Sequence, residues 1–278
     1  MSLARRASRI AATAAVGGAA VGGGGLGMLW AQTLLARHRV GEPRTTPFPV
    51  NGTYGSGSGP ALRMAVMGDS GAAGLGADDP QDTVAVKVAR GVAYAAGRPV
   101  ELVNVAVVGA QTADLDGQSE AVATALGGEH ADLVLIMIGA NDVTHRVRPA
   151  TSVRQLGEVV TVFVDGGTAV VVGCCPDLGT IVPVPNPLRT LGRRMSRTLA
   201  AAQALVTTQA GGHAVELGSL IGPEFAARPG EYFSEDRFHP SSVGYSRCAE
   251  ELLPAALAAL SMPAAAGHDE WMGSAEPA

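Results

Sequence analysis

A serine on a short glycine-bounded turn follows the first strongly apolar segment of the chain. Residues 62–67 are mostly apolar and lead directly into Gly68, Asp69 and Ser70. In α/β folds, a serine on a tight turn at the carboxyl end of a buried strand is presented to substrates. A serine hydroxyl becomes a good nucleophile once a neighbouring base takes its proton. Ser70 is therefore the candidate nucleophile.

An acid and a histidine near the C-terminus have the spacing of a proton-transfer pair. Asp236 precedes His239 by three residues, so both side chains can face one cleft from a short turn. Histidine can take the serine proton and return it to a leaving alcohol, and an acid on its other ring nitrogen selects the useful tautomer. We expect His239 to be the base and Asp236 the acid, with the adjacent Glu235 as an alternative acid.

Two further residues follow apolar segments and carry suitable hydrogen-bond donors. Gly109 comes just after residues 104–108, and Asn141 comes just after residues 133–138. A backbone N–H and a side-chain amide are the donors that stabilise an oxyanion in acyl transfer. Together with the N–H of Ser70, the groups of Gly109 and Asn141 are the predicted oxyanion hole.

Three other polar residues near these motifs are expected to have structural roles. Asp69 and Asp142 are predicted to brace their loops by accepting hydrogen bonds from backbone N–H groups. His145 is the third, and we place it at the rim of the cleft.

The elements that must position these groups alternate between strand and helix patterns. Strands are predicted at 62–67, 100–106, 132–138, 169–174 and 213–217. Helices are predicted at about 82–96, 112–126, 151–165, 188–210 and 242–260. Continuous apolar strands are typical of strands covered on both faces. The alternation therefore predicts a parallel sheet between two helical layers, with the functional residues along its carboxyl edge.

The four motifs resemble those of a known family. The chain resembles the SGNH hydrolases, also called GDSL-type esterases and lipases, in the four residues that give the family its name: Ser70, Gly109, Asn141 and His239. Asp236 matches the acid of the family's catalytic triad. The resemblance covers roughly residues 62–260. The pattern departs from the family at Gly71, where leucine or another larger residue is frequent; this changes the packing beside the nucleophile and removes no catalytic group.

The resemblance implies both a fold and an activity. The implied fold is α/β, a three-layer α/β/α sandwich with a five-stranded parallel sheet, flavodoxin-like as in SGNH hydrolases. The implied activity is hydrolysis of carboxylic esters through an acyl-serine intermediate, with no cofactor and no metal. Few large aromatic residues occur in the loops at 74–82 and 176–190, which favours short or medium acyl chains. The natural ester remains open and includes small molecules, lipids and glycans.

Other functions on the same fold are alternatives. A non-catalytic binding module would be favoured by loss of a triad residue, and none is lost. Acyl transfer, lysophospholipid cleavage and deacetylation of an envelope glycan use the same chemistry and stay open. A flavodoxin-like cofactor binder needs a phosphate-binding loop after the first strand, where Asp69 places a negative charge instead.

The length, net charge and motif content of the chain argue against several kinds of binding partner. The chain has 278 residues and a net charge of −5, so it holds one sizeable domain and no strongly basic nucleic-acid surface is indicated. No HExxH or CxxC pattern occurs and no lysine follows the glycines after Ser70, so neither a metal site nor a P-loop is predicted. We expect a monomer that binds no nucleic acid.

The N-terminus is predicted to lie outside the catalytic domain. Three arginines precede an uncharged stretch from Ile10 to Ala36, which is long enough to span a bilayer. The favoured interpretation is a membrane anchor with an extracytoplasmic catalytic domain; a cleaved secretion signal is second, and a soluble helix is third. The predicted organisation is as follows: an anchor or signal at 1–39, a flexible linker at 40–61, the hydrolase domain at 62–262 and a disordered tail at 263–278.

The sequence contains three cysteines, Cys174, Cys175 and Cys248. We expect them to be buried as small apolar residues. A disulfide between Cys175 and Cys248 is the alternative in an oxidising compartment.

Overall fold

The computed structural model describes residues 46–262 together with Gln32. In these residues, strands pair in the order β1-β3-β2-β4-β5-β6. The strands are β1 Gly52–Tyr54, β2 Leu62–Gly68, β3 Val100–Asn104, β4 Leu133–Met137, β5 Ala169–Gly173 and β6 His213–Val215. Strands β2 to β6 are parallel, and their order is that of flavodoxin-like sheets. The predicted α/β fold with a five-stranded parallel core is therefore confirmed.

The sheet has a sixth strand that the sequence pattern did not predict. Strand β1 pairs antiparallel with β3, with Gly52 opposite Leu102 and Tyr54 opposite Val100. It lies inside the segment predicted to be a flexible linker. The preceding Val50 is only 2 % exposed, and it holds this stretch against the core. The ordered sheet therefore begins N-terminal to the predicted boundary at residue 62.

Helices cover both faces of the sheet. They are α1 Val84–Ala96, α2 Leu115–Ala125, α3 Ala140–Thr144, α4 Pro149–Asp165, α5 Leu188–Gln209, α6 Leu217–Leu220, α7 Gly222–Ala227, α8 Pro229–Tyr232 and α9 Ser242–Ala259. Side chains alternate along each strand, so Leu133 and Leu135 of β4 pack with α1 and α9, whereas Val134 and Ile136 pack with α2, α4 and α5. The three-layer arrangement follows from this alternation.

The short helices α6 to α8 have no counterpart among the predicted elements. Each is one or two turns long, which is too short for an apolar helical period to show in the sequence. They lie between β6 and α9, and Phe225, Tyr232 and the intervening Ile221 pack into the core. They also bring the Asp236–His239 segment back over the carboxyl edge of the sheet.

The predicted anchor and tail fall almost wholly outside the described residues. Among the residues that are described, no helix is long and apolar enough to cross a membrane. The three cysteines are buried free thiols, so the alternative of a Cys175–Cys248 disulfide is not realised. Burial raises the pKa of Cys174 and of Cys248 to about 12, which keeps both thiols protonated and unreactive at neutral pH.

Candidate active site

The turn that carries Ser70 is built against the end of β4. Gly68 has φ = +134°, and a Cβ there would lie 1.9 Å from the carbonyl oxygen of Met137, so only glycine fits. The N–H of Asp69 donates to that same carbonyl at 3.0 Å, and the N–H of Leu75 donates to Ser70 O at 3.0 Å. The chain therefore reverses directly after β2 with Ser70 at the carboxyl edge of the sheet.

The structure brings together three residues that were predicted to act as a unit. His239 Nε2 lies 2.9 Å from Ser70 Oγ, although the two residues are 169 positions apart in the chain. His239 Nδ1 lies 2.5 Å from Asp236 Oδ2. The imidazole therefore connects the hydroxyl of Ser70 to the carboxylate of Asp236, and Glu235 is not the partner of the ring.

Asp236 is held as an anion by hydrogen bonds. Its Oδ1 accepts from the Oγ of Ser234 at 2.9 Å, from the N–H of Phe238 at 2.8 Å and from the N–H of His239 at 2.9 Å. Burial raises its pKa, but the hydrogen bonds from the His239 ring and from these two backbone groups outweigh burial and lower the pKa to about 2. Its Oδ2 is thus an ionised acceptor for the imidazole N–H at neutral pH.

The predicted oxyanion donors lie on the loops that flank the Ser70 turn. Gly109 follows β3 and has φ = +85°, with open space where a Cβ would be. Asn141 follows β4, and its Nδ2 donates to Ala110 O at 3.0 Å, which leaves its second amide hydrogen available. Within the described part of the chain, no protein group accepts a hydrogen bond from the N–H of Ser70 or of Gly109. These donors are therefore available to a ligand.

Asp69 and Asp142 brace their loops, as predicted. Asp69 Oδ1 accepts from the N–H of Gly71 at 2.9 Å. Asp142 accepts from the N–H of Thr112 at 3.1 Å and from Ser152 Oγ at 2.6 Å, and so connects the loop after β3 to α3 and α4. His145 is exposed at the end of α3, where its Nδ1 lies 2.9 Å from Asn141 O.

Two buried glutamines position the strand ends, and sequence reasoning missed both. Gln118 of α2 accepts from the N–H of Gly68 at 2.7 Å and donates to its carbonyl at 2.9 Å. Gln203 of α5 accepts from the N–H of Cys175 at 2.8 Å and donates to Ile138 O at 3.1 Å. The signal that was available is a polar residue on the apolar face of an amphipathic helix, because such a residue requires a buried partner.

An apolar cleft opens beside Ser70 and His239. It has an empty volume of about 820 Å³, part of which is open to solvent. We call it the apolar cleft, and its walls come from the ends of β2, β4 and β5, from the loop at 177–181 and from helices α6, α7 and α9. Parallel strands all end at the same edge of the sheet. The cleft therefore lies at the edge that also carries the Ser70 hydroxyl.

Comparison with known proteins shows which family the chain belongs to. The model of the GDSL-like lipase/acylhydrolase family matches residues 66–247, which is well over half of the chain. The chain belongs to this family, whose members are SGNH hydrolases, an ester-hydrolysing class of enzyme.

Similar proteins agree with this assignment. The chain is 36 % identical over 239 residues to the GDSL-like esterase Rv1075c of Mycobacterium tuberculosis, a match that covers 82 % of this chain and 76 % of that protein. The crystal structure of TesA matches with a TM-score of 0.55 at 20 % identity, covering 72 % of this chain and 99 % of TesA. A lipase/acylhydrolase from Enterococcus faecalis matches with a TM-score of 0.53 at 19 % identity, covering 74 % and 100 % of the two chains. At these identities the two structures show a common fold.

Proposed function

We propose that this protein is a serine esterase that hydrolyses carboxylic esters through an acyl-serine intermediate. The observation that carries the proposal is the continuous hydrogen-bonded chain from Ser70 Oγ through the His239 imidazole to Asp236. Membership of an ester-hydrolysing family and similarity to a GDSL-like esterase support it. A non-catalytic binding module would have no need of such a chain beside an open cleft.

In the first half-reaction, Ser70 Oγ attacks the ester carbonyl carbon while His239 Nε2 accepts the hydroxyl proton. The carbonyl electron pair moves to oxygen, and the resulting oxyanion accepts hydrogen bonds from the N–H groups of Ser70 and Gly109 and from the Asn141 amide. Collapse of this intermediate breaks the bond to the alcohol oxygen, which takes the proton from His239. The ionised Asp236 stabilises the imidazolium while it exists.

In the second half-reaction, water replaces the departed alcohol. His239 accepts a proton from the water as its oxygen attacks the acyl carbon. Collapse breaks the bond to Ser70 Oγ, which recovers the proton from His239. The products are a carboxylic acid and the free enzyme, so no external oxidant or reductant is consumed.

We expect Ser70→Ala and His239→Ala to abolish hydrolysis of p-nitrophenyl esters, with losses of about 10⁴-fold or more in kcat. Asp236→Ala should lose less activity, because the acid orients the base and takes no part in bond formation. A serine-directed phosphonate should label wild-type enzyme at Ser70, as located by peptide mass spectrometry. The exposed Ser58→Ala variant is the matched control and should retain full activity. Turnover by Ser70→Ala at the wild-type rate would disprove the proposal.

We also propose that the enzyme acts outside the cytoplasm and is held at a membrane by its N-terminal segment. The support is the uncharged stretch from Ile10 to Ala36 with arginines before it. Gln32, within that stretch, hydrogen-bonds Asn186 O at 2.7 Å and the N–H of Leu188 at 3.1 Å. Gln32 therefore contacts the catalytic domain at the start of α5.

A further inference from the structure

The apolar cleft is lined in part by buried residues. Gly173 and Cys174 at the end of β5 face it, as does Cys248 of α9, and these two cysteines are at most 4 % exposed. Ser70 and His239 also belong to the lining. The same cleft therefore borders the reacting groups and buried apolar atoms, so it favours an aliphatic group.

The order of events in ester hydrolysis indicates which half of the ester occupies this space. The alcohol must leave and water must enter while the acyl group is still bonded to Ser70. A group held against buried apolar side chains is suited to remain during this exchange, whereas a departing alcohol needs a route to solvent. The apolar cleft is therefore suited to the acyl half.

Gly71 leaves space in this cleft directly beside the nucleophile. It follows Ser70 in the chain and contributes to the cleft lining. A Cβ placed on Gly71 would meet only Asp69 Oδ1 at 3.4 Å and the Cε of Met137 at 4.0 Å, which are ordinary contact distances. Its φ is outside the left-handed region, so the backbone also accepts a side chain. The space is there because position 71 has no side chain.

The size of the missing side chain sets what this space can hold. Consecutive Cα atoms are about 3.8 Å apart, and Ser70 and Gly71 both line the cleft, so a side chain at position 71 would take up cleft volume close to the nucleophile. A leucine would add three carbon atoms beyond a Cβ position that lies 4.0 Å from the Met137 methyl group. The same volume is available in this enzyme for a branch on the substrate.

We propose that Gly71 is a specificity-determining residue of the apolar cleft that admits acyl groups branched at the α-carbon. The proposal rests on the serine esterase function proposed above. The substrate class is therefore esters of branched as well as straight aliphatic acids. Leucine at position 71 would exclude the branched ones.

Isomeric substrates test this without a change in carbon number. We expect wild type to hydrolyse p-nitrophenyl butyrate and p-nitrophenyl isobutyrate with kcat/KM values within about threefold of each other. Gly71→Leu should lower kcat/KM for isobutyrate by about tenfold or more relative to butyrate, the range typical of a one-carbon steric difference in a pocket. Its kcat/KM for p-nitrophenyl acetate should change less than threefold, because acetate has no branch.

Two variants control for effects on folding. Gly117→Leu on α2 adds the same side chain where no atom lies within 4 Å of the Cβ position, and it should leave the butyrate-to-isobutyrate ratio unchanged. Gly71→Ala adds only a Cβ, at contacts of 3.4 Å or more, and should shift the ratio in the direction of Gly71→Leu by a smaller factor. If Gly71→Leu does not fold, the butyrate-to-isobutyrate ratio of Gly71→Ala decides whether position 71 selects the acyl group.

Three results would overturn the proposal. An unchanged ratio in the Gly71 variants would show that this position does not select the acyl group. Equal losses on acetate, butyrate and isobutyrate would show that it affects the chemical step instead. Altered discrimination among acetate esters of branched and straight alcohols, with the acyl ratio unchanged, would place the alcohol in the cleft. Each of these results requires that the enzyme hydrolyses esters and that this activity depends on Ser70. Failure of the esterase proposal is a different result, and Ser70→Ala tests it.

Discussion

Two buried carboxyl groups lie beside the Ser70–His239 pair, and their pKa values shift in opposite directions. Burial raises the pKa of Asp69 to about 6. The hydrogen bond from the Gly71 N–H and the nearby His239 lower this pKa, whereas the nearby Asp142 raises it further. Asp236 has its pKa lowered to about 2 because its hydrogen bonds outweigh burial. Asp236 is thus ionised and can stabilise an imidazolium, whereas the few hydrogen bonds of Asp69 do not offset the desolvation of its carboxylate.

The raised pKa of Asp69 predicts a pH-dependent loss of stability. Between pH 3.8 and 6 the native state keeps a proton on Asp69 that the unfolded state has released, so the free energy of unfolding falls as pH rises through this window. Asp69→Asn keeps the acceptor for the Gly71 N–H and removes the titration. Relative to this variant, wild type should lose roughly 2 kcal/mol between pH 4 and pH 6, measured by urea unfolding.

Asp116→Asn, at an exposed position on α2, controls for the loss of one carboxylate. Asp236 does not contribute in this window, because its lowered pKa places its own loss of stability below pH 3.8, as pH falls towards about 2. Parallel stability curves for wild type and Asp69→Asn would contradict the prediction.

At the scale of elements, the nucleophile turn depends on a helix that contributes nothing to the chemistry. Gln118 of α2 makes two hydrogen bonds to Gly68, the residue before the Asp69–Ser70 pair, and is only 4 % exposed. The N–H of Val107 also donates to Gly68 O at 3.0 Å. This hydrogen bond connects the loop that leads to Gly109 with the end of β2. The relative position of two predicted oxyanion donors therefore depends on this contact.

Gln118→Ala is expected to destabilise the protein by about 2 kcal/mol, because it leaves the buried N–H of Gly68 without a partner. It should also lower kcat with every ester tested, since the turn that carries Ser70 is no longer held from α2. Urea unfolding and steady-state kinetics measure the two effects. Gln209→Ala, at the exposed end of α5, is the matched control and should change stability by less than about 0.5 kcal/mol. A stability loss as small as that of the control would refute the role of Gln118.

At the scale of the whole molecule, the proposed membrane attachment is separable from catalysis. A chain that begins at Thr46 keeps the buried Val50 and strand β1, so we expect it to be soluble and as active as the full-length protein on water-soluble esters. Full-length protein in its native host should sediment with membranes and resist high-salt washing, because the attachment is apolar.

Fractionation and N-terminal sequencing decide between the three interpretations of this segment. A mature protein that is free in the medium and begins beyond Ala36 has had a signal removed. An intact protein found in the cytosol would refute both export interpretations. The shortened chain serves as the control, since it lacks residues 1–45 and should not sediment.

The sequence alone was sufficient to predict the alternating fold and the positions of the chemical groups. Strands such as β4 are continuous apolar runs, and Ser70, Gly109 and Asn141 each follow such a run directly, which places them at one edge of a parallel sheet. Asp236 and His239 were recognised from their own three-residue spacing. Each of these features involves residues that are close together in the chain, so it can be recognised in a single sequence.

Only the tertiary structure decided the contacts that join distant segments. The pairing of β1 with β3, the hydrogen bonds of Gln118 and Gln203, and the ring contact between His239 and Ser70 all connect residues that are far apart in the chain. The cleft beside Gly71 likewise exists only where the ends of several strands meet helices α6, α7 and α9. Apolar periodicity indicates which face of an element is buried, but it does not indicate which partner satisfies a buried polar group there.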